Sequence, residues 1–127
     1  MGGIADLIQG AYDAFARGDI PAVIDTLSDD VRWDVAAVLP QGGSFQGKDG
    51  VGQFFEGLGQ AWEELNLQIE DLIEGRDDVV GVGRAEGRLG VGGTSAGYGF
   101  AHVFTVEDGK VTRFREYADP DVALLQG

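Results

Sequence analysis

His102 is the only histidine in the chain, and it lies inside the apolar run GYGFAHVFTV, Gly97 to Val106. Imidazole has the ordinary side-chain pKa nearest neutrality, so this is the first group to weigh for proton transfer. Tyr12, Asp34, Glu116 and Asp119 complete the set of candidate catalytic groups. A carboxyl surrounded by apolar side chains is pushed up toward neutrality and serves as a general acid or base. Glu116 leads on this ground, because it shares strand parity with Phe114 and Ala118. Beside an arginine the same carboxyl stays ionised and anchors the cation instead. Arg84 and Arg88, which alternate with Glu86 on one strand face, are the natural partners. The arginine then faces the substrate and holds a carboxylate or an enolate. The plainer alternative for these charges is a surface ladder across adjacent strands. Tyr12 is either a core tyrosine or a donor to a carbonyl or enolate oxygen. His102 is catalytic if it faces inward; if Ala101 and Val103 line the cavity, alternation turns it outward, toward solvent or a second subunit. Asp34 and Trp33 take opposite faces of one strand. Asp119 precedes Pro120 and is either a turn residue or an acid at the cavity mouth.

No metal or cofactor is expected. The chain has no cysteine, a single histidine and no clustered ligand spacing, which excludes thiolate zinc and iron–sulfur sites. Its 22 acidic and 9 basic residues give a formal net charge of -13 over 127 residues. Such a surface repels nucleic acid and anionic membranes. The length fits one domain, residues 1–127. Met1 to Ala5 carry no Lys or Arg and no apolar run, and no stretch is long enough to span a membrane. A cytoplasmic location is the expectation.

The elements that must position these groups follow from periodicity. Ile4, Leu7, Ile8, Ala11, Tyr12 and Phe15 recur at helical spacing and form one apolar stripe. Gly18 stops that helix and Asp19 caps a shorter one, with Pro21 in its first turn. Val31, Trp33 and Val35 alternate with Arg32 and Asp34, predicting a strand. Residues 36 to 50 read as a loop, and Asp49 as the cap of a third helix carrying Val51, Phe54, Phe55 and Leu58. From Leu65 the period becomes two, with Leu65, Leu67, Ile69 and Asp71 on one side. Three more strands follow, the last two joined at Glu107-Asp108-Gly109. Asp121 to Gln126 read as a short closing turn or helix. Both faces of the strand from Tyr98 to Val106 are largely apolar, which predicts a homodimer covering one of them.

The segments YDAFARGDIPAVIDTLSDDVRWD, FQGKDGVGQFFEGL and HVFTVEDGKVTRFREYADP resemble the opening, the third-helix start and the last hairpin of the nuclear transport factor 2-like superfamily, in its SnoaL-like and ketosteroid isomerase-like branch. That resemblance implies an α+β fold of cystatin-like architecture. It is a cone in which a strongly curved antiparallel or mixed sheet wraps a long N-terminal helix around an apolar cavity. It also implies cofactor-independent acid–base chemistry on a carbonyl compound, as in polyketide cyclases and isomerases, or else non-catalytic binding of a small hydrophobic molecule. Tyr12 falls where the isomerase has its oxyanion-hole tyrosine. Val35 and Ala101 fall where it has its base and its neutral acid, so the resemblance implies weak or absent steroid isomerisation. The substrate-contacting walls it implies are Phe15, Trp33, Phe54, Phe55, Leu58, Val103 and Phe114, with Arg84 and Arg88, enclosing an uncharged or weakly acidic ligand of drug size.

Overall fold

A computed structural model describes residues 3–90 and 92–119; the closing turn expected at Asp121 to Gln126 lies outside them. The elements in order are α1 (Ile4–Ala16), α2 (Ile20–Ile24), β1 (Leu27–Val35), β2 (Gly43–Gln46), α3 (Gly47–Ala61), β3 (Trp62–Glu74), β4 (Asp78–Leu89), β5 (Ser95–Glu107) and β6 (Lys110–Ala118). The predicted apolar stripe of α1 faces the sheet: Ile8 is fully buried, and Ile4, Leu7, Tyr12 and Phe15 pack against the core. Gly18 ends this helix with φ at 75°, a conformation glycine adopts without cost. Asp19 then accepts a hydrogen bond from the Ala22 N–H at 3.2 Å and caps α2. Among the described residues no helix is long and apolar enough to cross a membrane.

The six strands form one mixed sheet in the order β2-β1-β6-β5-β4-β3. β3 to β6 are an antiparallel meander, and β1 runs parallel to β6. The expected cone does not form. The sheet is open, neither closed nor strongly curled, and among the described residues β2 and β3 are its edges. α1 is 13 residues long, shorter than α3 at 15, so no long N-terminal helix sits at the centre of a wrap. The β3 edge exposes Glu63, Glu64, Asn66, Gln68 and Glu70, polar groups that disfavour further strand pairing.

Other expectations change in detail. β2 arises inside the stretch read as a loop, pairing Trp33 with Phe45. The cap position of α3 is Gln46, and Asp49 lies in the first turn. Gly52, Gly57 and Gly59 of α3 have open space where a Cβ would stand. A bulge between Ile69 and Asp71 shifts the alternation of β3, and Leu72 instead of Asp71 joins the core-facing row.

Candidate functional site

Between the helices and the sheet lies an almost wholly apolar cavity of about 80 Å³. Tyr12 and Phe15 reach it from α1, and Phe54, Phe55 and Leu58 from α3. Trp33 comes from β1, Tyr98, His102 and Phe104 from β5, and Phe114 and Glu116 from β6. Aromatic contacts set the wall: Trp33 stacks on Phe114 with centroids 4.0 Å apart, and Phe54 meets Phe55 edge-on at 5.1 Å.

The polar groups of this wall form two chains. In the first, the Tyr12 hydroxyl lies 2.8 Å from His102 Nδ1, and His102 Nε2 lies 2.8 Å from Glu116 Oε2. His102 and Glu116 are 5% and 8% exposed, so nearly all of their solvation has been exchanged for these contacts. Phe100 stacks on the imidazole at 3.9 Å and Phe114 flanks it at 5.1 Å, which fixes the ring plane. With Glu116 ionised, the carboxylate only accepts, so Nε2 carries the hydrogen and Nδ1 accepts from the Tyr12 hydroxyl. Burial, and then the nearby Glu116 charge, push the Tyr12 pKa well above that of a free phenol. Tyr12 therefore remains a neutral phenol, a relay for protons and not a standing phenolate.

Tyr12 reaches His102 by crossing β4 at Gly81, the residue paired with His102 across the β4–β5 ladder. A Cβ at Gly81 would overlap the Tyr12 hydroxyl and lie 3.2 Å from the ring carbon that bears it. Gly81 thus leaves the space through which the phenol passes.

The second chain was not legible in the sequence. The Trp62 indole N–H donates to Gln41 Oε1 at 2.9 Å, and Gln41 Nε2 donates to the Tyr98 hydroxyl at 3.2 Å. Gln41 sits in the connection between β1 and β2 with no periodicity to mark it. Tyr98 shares strand parity with Phe100 and His102, the one signal that could have found it. Its pKa is also pushed up, first by burial and then by the Glu116 charge, with the Gln41 hydrogen bond partly opposing. Leu65 and Leu67 of β3 are further wall residues that were not singled out.

The remaining candidates lie elsewhere. Asp34 points away from Trp33 and pairs with Arg113 at 3.6 Å. Val103 alternates with buried His102 and Phe104 and does not line the cavity. Arg84 and Arg88 are on the outer sheet face, where Arg88 meets Glu64 at 3.0 Å and Glu63 at 3.4 Å, and Arg84 meets Glu86 at 4.0 Å. They form the surface ladder of charge, not partners for Glu116. Asp119 shares their open groove, with its N–H on the Gly99 carbonyl at 2.8 Å. No group of three or more His, Asp or Glu able to hold a metal ion occurs among the described residues.

An open mixed sheet carrying helices on one face, with acid–base groups buried between the layers, defines a small α+β pocket protein. Residues 8–114 match the SnoaL-like domain family, and the chain belongs to that family within the nuclear transport factor 2-like superfamily. It is 30% identical over 118 residues to an uncharacterised protein of Mycobacterium tuberculosis, covering 91% of this chain and 88% of that one. A nuclear transport factor 2-like protein of unknown function from Burkholderia pseudomallei has 30% identity and a TM-score of 0.87, over 94% of this chain and 92% of its own. TerC, solved in co-crystals with polyporic acid, has 26% identity and a TM-score of 0.84, covering 98% of each chain.

Proposed function

We infer that the chain takes a small apolar carbonyl compound into the cavity and moves a proton on it through Tyr12 and His102, as an isomerase or cyclase does. The buried chain from Tyr12 through His102 to Glu116 carries this reading. An acidic C–H next to a carbonyl gives its proton to the Tyr12 oxygen while the phenolic hydrogen passes to His102 Nδ1. The phenol stays neutral throughout, and the imidazolium that forms is held by the Glu116 carboxylate. Return of the proton to a different carbon completes an isomerisation. The relative co-crystallised with polyporic acid supports a small organic ligand.

The cavity of about 80 Å³ is well below the ~300–1,000 Å³ of drug-sized sites, so the expected drug-sized ligand does not fit without movement of the wall. The cavity borders an outer cleft between α1 and β3. Tyr12, Phe15, Leu65 and Leu67 also line this cleft of about 590 Å³, and Leu65 and Leu67 remain half-buried. The test is deuterium uptake from D₂O by an enolisable ketone such as β-tetralone, followed by NMR. Exchange should exceed the buffer rate and fall about 10²–10⁴-fold in Glu116→Gln. Exchange at the buffer rate would leave a binding protein without proton chemistry.

The same reading has the chain working as a homodimer through its outer sheet face. Val80 pairs with Val103 and Val82 with Ala101, and Ala101 pairs with Tyr117, which is 55% exposed. This strip is continuous over β4, β5 and β6, and a second copy would bury it. Light scattering at micromolar concentration should give twice the chain mass; a monomer defeats the dimer.

A further inference from the structure

We propose that Tyr98 is a ligand-binding residue whose hydroxyl donates to an oxygen of the bound molecule, and that Trp62 and Gln41 are the positioning residues that keep this donor free. The proposal rests on the cavity being a ligand site and extends that reading from proton transfer to recognition.

An indole N–H only donates, so the Gln41 atom 2.9 Å from Trp62 Nε1 is its carbonyl oxygen. The other end of Gln41 is then the amide NH₂, and it donates to the Tyr98 oxygen at 3.2 Å. The Tyr98 oxygen is an acceptor in that contact, which leaves its own hydrogen to be given elsewhere. Tyr98 makes no second hydrogen bond among the described residues, although it is 3% exposed and lines the cavity. Burial and the Glu116 charge hold the phenol in its protonated form. A buried hydroxyl hydrogen without an acceptor is costly, and a carbonyl or ether oxygen on a ligand relieves that cost. A bare hydrocarbon does not. The ligand class is therefore an apolar molecule carrying an oxygen acceptor apart from the carbon that exchanges its proton.

Acetophenone and α-methylstyrene are planar and nearly isosteric, and they differ in carbonyl oxygen against methylene. Wild-type protein should bind acetophenone about tenfold more tightly by titration calorimetry. Tyr98→Phe should bring that ratio close to one. Gln41→Glu should do the same with Tyr98 intact, because one carboxylate oxygen keeps the Trp62 N–H and the other takes the Tyr98 hydrogen. At low pH the protonated carboxyl donates to Tyr98 as the amide did, and the preference should return. The comparison is made against wild type at each pH, since Tyr12, His102 and Glu116 also line the cavity. A merely structural role for Gln41 gives no such recovery. A preference unchanged in both variants, or absent from wild type, overturns the proposal. Loss of deuterium exchange with the preference intact counts against the proton-transfer reading alone.

Discussion

Replacing His102 by leucine is expected to destabilise the protein by about 3–5 kcal/mol, measured by urea denaturation at neutral pH. Leucine keeps much of the volume, so the loss does not come chiefly from an empty space. It comes from Glu116, left 8% exposed with no partner for Oε2, and from the Tyr12 hydroxyl, left without His102 Nδ1. A buried acceptor stripped of its donor bears its full desolvation cost, and a buried charge bears more. A domain of this size has only ~5–15 kcal/mol of net stability, so the variant should approach the unfolding threshold. The triple variant His102→Leu, Glu116→Leu, Tyr12→Phe removes all three polar groups together and should recover most of the loss. A single-variant cost under ~1 kcal/mol would mean that the chain of hydrogen bonds contributes no buried, coupled polar network.

The second large effect is expected at a residue with no functional group. Gly81→Ala places a methyl where the Tyr12 hydroxyl lies, and the ring carbons at 3.2 and 3.3 Å cannot give way without swinging the phenol off His102. Inserting a methyl into a packed contact costs about 1–3 kcal/mol. Ketone deuterium exchange should fall about 10²-fold, because the relay is broken at its first link. Tyr12→Phe removes the atom that clashes most. The double variant should therefore be more stable than the sum of the single losses predicts, by ~1 kcal/mol or more. Additive losses would show that the phenol does not pass over Gly81 as described.

Much of this site could be read from residue order alone. Helical spacing put Tyr12 and Phe15 on the inner side of α1, and alternation put Trp33 and Asp34 on opposite faces of β1, because periods of 3.6 and 2 follow from local backbone geometry. Six wall positions expected from the family resemblance, Phe15, Trp33, Phe54, Phe55, Leu58 and Phe114, line the cavity. The pairing of His102 with Glu116 was not legible, for a definite reason. A plain hairpin continuing from Glu107 and Lys110 sets His102 opposite Arg115 and Val103 opposite Phe114. A register shift between Thr105 and Val106 changes this, bringing His102 opposite Glu116 and Phe104 opposite Phe114. One extra residue on β6 thus puts Phe114 and Glu116 on the face that already holds His102 and Phe104, and leaves Val103 on the opposite face. The Tyr12–His102 contact joins residues 90 apart, and the Gln41–Tyr98 contact residues 57 apart. Local periodicity carries no information over such separations; only the packing of α1 and the β1–β2 connection onto the sheet decides which of the chain's many polar groups meet.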